Sequence, residues 1–386
     1  MDAVRLAICL AVMVTLPGLA SAQAICVGKV RDADAQSDSR YLWKLLRDRK
    51  FETLESEFRD RQQGYERGTY SEEKLIYSFS TFSSPSNSIT PLLEEWVNTH
   101  EKSYAAHVAL AAHQKAVGHQ LRGSKVRSQT SDEQFKAMTT WMRKAESSLQ
   151  SAFELTQKPL AAYVFAIDVQ RFLGPRESID GLYQQALKID PQSAYARERY
   201  LWVLDPRWHG ERSDIPNELQ RIADSKLPDA TKRFLAYEGL MSLAGAHLTL
   251  KEPDLAERAM QTAAKQCVTA GPWQGLANLY NEQGQWEKAL GALEKYRALE
   301  PNESWAIRRQ AYAHERLAHW PLALQLYKEA AEKGDSYAQN AYGWQLYEGT
   351  HLPRDLNGAI KWFRTAADNG DENARANLDR AVRERG

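Results

Sequence analysis

Cysteine is nearly absent: three among 386 residues exclude a scaffold built from disulfides. Proline and glycine are also sparse, at 14 and 21. They fall between long segments whose apolar residues recur three and four places apart, so most of the chain reads as helix. Strict alternation with β-branched enrichment is missing. Residues 74–82 come nearest, in surroundings rich in Glu and Leu, and no sheet is expected. Charge of one sign is lacking, since 50 Lys and Arg balance 50 Asp and Glu. No positive excess is available to release counterions from a phosphate backbone, which excludes nucleic acid as a partner. Only one apolar stretch approaches membrane length, at the extreme N-terminus, so an integral membrane bundle is excluded. A content of 43% hydrophobic and 26% charged residues excludes disorder.

That stretch reads as an address. Arg5 supplies a positive start, Leu6 to Leu16 an apolar core, Pro17-Gly18 a break, and Ala20-Ser21-Ala22 the small residues before a cleavage point. Residues 1–22 are therefore expected to be a secretory signal, and the mature chain to be periplasmic or extracellular without a transmembrane segment. A lipid anchor would need a small residue before the cysteine, where Ile25 stands before Cys26. Cys9 leaves with the signal. Cys26 and Cys267 can then pair in an oxidising compartment, closing a loop worth roughly 5 kcal/mol in the chain-entropy model. The alternative stays open: Cys26 lies on an untethered segment, and Cys267 can pack as a small hydrophobe. Two cysteines alone make no zinc site.

Helices are expected over 40–55, 71–82, 89–99, 104–118, 132–157, 160–172 and 178–189, with punctuation at 83–87, Gly174-Pro175 and Asp190-Pro191. From about residue 237 a period near 34 appears, the mark of stacked units. The clearest unit starts near Ala270 and carries Trp273, Leu276, Ala277, Tyr280, Gly284, Trp286, Ala289, Leu293 and Pro301. Small residues let its two helices approach, large ones fill the gap, and proline ends the second helix. This unit resembles the tetratricopeptide repeat. The next, from about Ser304, keeps Ala311, Trp320, Ala323, Tyr327 and Ala330 and ends on Gly334, as the Sel-type relative does. The third is more similar still to that relative, with Ala338, Gly343, Gly349, Leu352, Asp355, Ala359, Trp362, Phe363, Ala366, Ala367, Gly370 and Ala374 in register. It departs at Leu346, where tyrosine is usual, and at His351, where a loop glycine is usual. A weaker unit spans 237–263 with Leu243, Ala244, Ala256, Met260 and Ala263.

From 51 to 220 the order of phrases resembles an uncharacterised bacterial helical domain that often precedes such repeats. The phrases are residues 62–68 (Gln-Gln-Gly-Tyr-Glu-Arg-Gly), Glu95-Trp96-Val97 followed by 103–106, Leu121-Arg122-Gly123, and Asp205-Pro206-Arg207-Trp208-His209-Gly210. His209 stands where a second glycine is usual. No activity is established for that family, so the resemblance implies fold and company only.

Catalytic spacings are missing: no nucleophile elbow, no phosphate-binding glycine loop. Residues 314–319 mimic a zinc-protease motif, but His314 and His319 are five apart, about 140° round a helix, where two ligands on one face need four. His107, His113 and His119 step by six and point to different faces. The loop at 205–210, where Arg207, Trp208 and His209 converge, is either a corner plugged by an indole or the site of an enzyme of unknown reaction.

The expected architecture is all-α. A signal at 1–22 precedes an irregular helical domain over 23–228. An α-solenoid of antiparallel helix pairs follows over 229–386, closed by a cap at 372–385. In the tetratricopeptide arrays that the repeats resemble, the inner face of each first helix lines a groove. Asn278, Asn281, Arg308, Tyr312, Arg316, Tyr337, Asn340, Trp344 and Tyr347 fall there. Amides, guanidinium groups and flat aromatics grip peptides well. The resemblance therefore implies a protein- or peptide-binding scaffold without cofactor, metal or catalysis.

Overall fold

The computed structural model describes residues 33–123 and 130–385; the expected signal and Cys26 lie outside the described residues. Within them every regular element is a helix, and no strand occurs. Two compact units are present, the first ending at Ala246 and the second beginning at His247. That boundary lies inside a helix, some way beyond residue 229 where the repeat region was expected to start.

In the first unit α1 (Ala33–Arg47), α2 (Phe51–Glu66), α3 (Glu72–Ser80) and α4 (Thr90–Thr99) surround an aromatic core. Phe58, Phe79, Phe82 and Trp96 are all at most 1% exposed, with Phe58 and Phe79 centroids 4.7 Å apart. The buried Trp96 indole N–H donates to Glu55 Oε1 at 2.7 Å, which satisfies its one polar atom. α5 (Tyr104–Arg122) is buried on several faces because alanines at 105, 106, 109, 111 and 112 let its neighbours close in. Ser103 caps its start through the Ala106 N–H, and Gly123, at φ 75°, ends it. α6 (Asp132–Ala152) opens on a capping box of Ser131 and Gln134, then α7 (Leu160–Leu173), α8 (Arg176–Ile189) and α9 (Ala194–Val203) follow, each packed on its chain neighbour. α10 (Asp214–Asp224) and α11 (Asp229–Thr249) complete the first half of the chain.

One expected helix is two. The continuous pattern over 40–55 is cut at 48–50, where Arg49 takes φ 52°. The local sequence favours continuation; packing of α2 back on α1 reverses it. The Arg49 guanidinium is then drawn to Glu95 at 2.9 Å.

The second unit is regular. α12 (Pro253–Gln266) is followed by three hairpins: α13 (Gly271–Glu282) with α14 (Trp286–Leu299), α15 (Ser304–Arg316) with α16 (Trp320–Glu332), and α17 (Ser336–Glu348) with α18 (Leu356–Asp368). α19 (Glu372–Arg385) closes the stack. The small residues named from the period are buried: Ala277, Ala289, Ala311, Ala323, Ala338, Ala359 and Ala366 have no exposed surface. Tyr280, Leu293, Tyr327 and Phe363 fill the spaces between them.

One backbone turn recurs. At Gly284, Gly334 and Gly370 the residue has positive φ, its N–H returns three residues, and the next N–H returns five. The same pair of bonds forms at Arg49, Lys251 and Ala318, where φ is 52°, 59° and 58°. A side chain there carries a left-handed cost of roughly 1–2 kcal/mol that glycine escapes. Replacement of Ala318 by Gly should therefore raise stability by about 1 kcal/mol, and replacement of Gly284 by Ala should lower it comparably. Urea unfolding of the two variants checks this, and equal midpoints would refute the strain.

At His351 the third hairpin solves its missing glycine differently. Gly349 alone is left-handed, at φ 74°, and the His351 ring stacks on Trp320, centroids 3.6 Å apart.

Candidate functional site

Three helices, α13, α15 and α17, carry the expected groove residues, and the structure sorts them. Tyr312 is 38% exposed, its ring meeting Trp286 edge to face at 5.6 Å. The Arg316 guanidinium lies over the same Trp286 at 5.4 Å and has no carboxylate partner among the described residues. Tyr337, at 63% exposure the most open large hydrophobic of the unit among the described residues, lies under Arg308 at 5.2 Å. These groups form a continuous aromatic and cationic stripe on α14, α15 and α17. Trp286 is missed by the repeat numbering because it begins the second helix of its hairpin. The 34-residue recurrence of tryptophan at 286 and 320 is the signal that could have found it.

Other expected groove residues have local engagements. Asn281 is buried, its Nδ2 donating back to Ala277 O. Arg308 spans to Asp335 at 3.0 Å, and Asp335 itself caps α17 through the Ala338 N–H. Asn340 accepts from Asn377 Nδ2, Trp344 lies under Arg380 at 5.5 Å, and Tyr347 packs on Trp344 at 5.4 Å. The closing helix α19 thus covers this last stretch. Asn278 is half-buried.

On the same unit a cavity of about 660 Å³ opens between α12, α13 and α14, with Trp273, Tyr280, Lys288 and Lys295 in its wall. Cys267 also lines it and is disulfide-bonded; Cys26, its expected partner, lies outside the described residues.

His314 and His319 come closer than a helical wheel allows. The helix ends at Arg316, and the Ala318 turn brings their Nδ1 atoms to 3.3 Å. Among the described residues no group of three potential ligands assembles around them or elsewhere.

In the 205–210 loop of the first unit the indole is not a buried plug. Trp208 is 40% exposed and its ring meets Phe172 edge to face at 5.2 Å. His209 Nε2 is spent on the Arg171 carbonyl at 2.6 Å. Asp205 receives the Arg207 fork and the Ser242 hydroxyl, so the loop carboxylate and the imidazole do not meet. Beneath lies a constellation the sequence did not announce. Asp168, 5% exposed, is approached by Lys115 Nζ at 2.6 Å and Arg171 at 3.1 Å. Burial pushes its carboxyl up, but Lys115, Arg171 and Arg199 outweigh that and hold it well below the usual range. His119, against Phe172 at 4.9 Å, is pushed down to about 4 by burial, with Lys115, Arg171 and Arg122 adding to the effect against Asp168.

The chain matches a tetratricopeptide repeat over 270–313 and Sel1 repeats over 321–335 and 336–371. No curated protein matches it. Similar solved structures include yeast Tom70, at 13% identity over 97% of this chain and 68% of that one, with a TM-score of 0.40. A Sel1 repeat protein from Oxalobacter formigenes is 12% identical over 95% and 98%, TM-score 0.36. The protective antigen c5321 of uropathogenic Escherichia coli, which displays an SLR fold, is 17% identical over 88% and 81%, TM-score 0.33. Repeats of this kind make the chain a protein-interaction scaffold in outline.

His119 carries a pH consequence. Its pKa in the folded chain lies below its ordinary 6.5, so between these values the unfolded state binds the extra proton. Its contribution is intact above pH 6.5 and is lost as the pH falls toward 4, a change of about 3 kcal/mol. The His119→Phe variant should show a flatter decline in unfolding free energy over that window; a decline as steep as in the unaltered chain would refute it.

Proposed function

We propose that the protein is exported and that its second unit grips an extended or helical segment of another protein along the stripe of Trp286, Tyr312, Arg316 and Tyr337. The observation that carries this reading is the stripe itself. Exposed aromatic area with an unpaired guanidinium in its midst is the composition of interface anchors, and it continues from hairpin to hairpin on helices otherwise held by internal packing. A preformed groove loses little freedom on binding, which favours recognition by stacked repeats. Tyr312 and Arg316 supply most of the grip. Arg308 acts indirectly: it pairs with Asp335, which caps α17, and lies over the Tyr337 ring. The last three groove positions, Asn340, Trp344 and Tyr347, serve the cap.

The experiment is affinity capture from periplasmic extract, comparing the unaltered chain with the Tyr312→Ala, Arg316→Glu double variant. Both changes are at exposed positions, so folding should persist by circular dichroism. Partners captured by the unaltered chain should fall about tenfold or more with the variant, the loss of two anchors worth upward of 1 kcal/mol each. Full retention of every partner would reject the groove.

Export has its own test. The mass of the secreted chain should correspond to a start at Gln23, and cytoplasmic retention of the whole 386 residues would refute it.

A further inference from the structure

Arg122 and Trp208 come from separate sequence phrases, yet the fold brings them together. The Arg122 guanidinium lies 5.9 Å over the Trp208 ring, and Arg171 lies 5.1 Å over that ring. Arg199 sits 4.2 Å over Trp202, which Arg171 also overlies. Lys115, Arg122, Arg171 and Arg199 therefore crowd one region, where the opposing carboxylates are Asp168 and Glu198. Asp205 is already matched by Arg207. With Glu73 also close to Arg199 beside Tyr195, four cations face three carboxylates among the described residues, and the surplus is positive. Arg122 donates from Nη1 to the Gly123 carbonyl and Arg171 pairs with Asp168, but the Nε atoms of both are shielded from solvent and have no acceptor among the described residues. A shielded N–H without an acceptor is costly, and an oxyanion at that point would remove the cost.

We propose that the first unit holds a binding site for a phosphate monoester group, framed by Arg122 and Arg171 beside the exposed Trp208. The chemistry fits: a phosphate monoester carries about −1.5 to −2 near neutral pH, is drawn by a cationic surplus, and offers three strong acceptor oxygens to the guanidinium N–H groups. Trp208 has a free surface against which a planar or apolar portion of the ligand can lie. His119, which like Trp208 meets Phe172 edge to face, stays neutral and carries no charge of its own near pH 7. The site is independent of the groove in the second unit.

The test uses the full mature chain at fixed ionic strength. Calorimetric titration with phenyl phosphate should give saturable binding at one site, and inorganic phosphate should bind more weakly because it cannot cover Trp208. Binding should move the His119 imidazole pKa, followed by NMR, upward, since Asp168 would no longer be the sole anion facing it among Lys115, Arg122 and Arg171. Arg122→Gln should weaken phenyl phosphate about tenfold, with Arg122→Lys intermediate. Trp208→Phe should weaken phenyl phosphate more than inorganic phosphate. Arg171 is left intact because its removal would strand Asp168. Co-sedimentation with vesicles containing phosphatidic acid separates the sources: binding to vesicles in preference to phenyl phosphate assigns the group to a lipid headgroup, and the reverse to a soluble monoester. No saturable response to any of the three phosphates, or an equal response to malonate, would overturn the proposal. So would Arg122→Gln binding unchanged.

Discussion

Close approach of helix backbones is the constraint from which the second unit follows. It is possible only where two facing side chains are small. Ala277, Ala289, Ala311 and Ala323 stand at those positions without exposed surface, and Ala338 packs equally buried among Ala311, Tyr327 and Ala330 of the preceding hairpin. At Gly343 even an alanine would be crowded, since a Cβ there would come within 3.0 Å of the Phe363 ring. With the crossing points held by small residues, Tyr280, Tyr327 and Phe363 are directed into the space between successive hairpins. Rings that have no such space, Tyr312 and Tyr337, remain outside. The groove composition is thus a remainder of the packing.

The two halves of the chain solve burial differently. The repeats bury alanine, tyrosine and leucine and keep ion pairs such as Arg297 with Glu329 near the surface. The first unit buries an aromatic core around Trp96 and, separately, a charged one around Asp168. A buried ionic cluster is weak evidence for stability, because removing charge from water offsets most of the attraction.

Much of the fold was legible because its signals are local and periodic. The hairpins at 271–299, 304–332 and 336–368 follow from alanines and aromatics at fixed places, and their turns from Gly284, Gly334, Gly349 and Gly370. The break at 48–50 was not legible, since nothing in Arg49 announces a left-handed residue; the helices on either side impose it. The groove was legible as positions but not as surface. Asn281, Asn340 and Trp344 carry suitable chemistry at suitable places, and a back-bond or the closing helix occupies them. The approach of His314 to His319 was not legible for a related reason, as a helical wheel does not extend past the residue where the helix ends.

By itself the sequence determined that the chain is helical, that its C-terminal part repeats, and which small residues make the hairpins pack, because each depends on spacing along one helix or between adjacent ones. Only the tertiary structure decided which of the groove side chains face solvent and that Arg122, Asp168, Arg171 and Trp208 come together in one region. Those residues are separated by tens of positions on different helices, and their charges act through space, where no period along the chain records them.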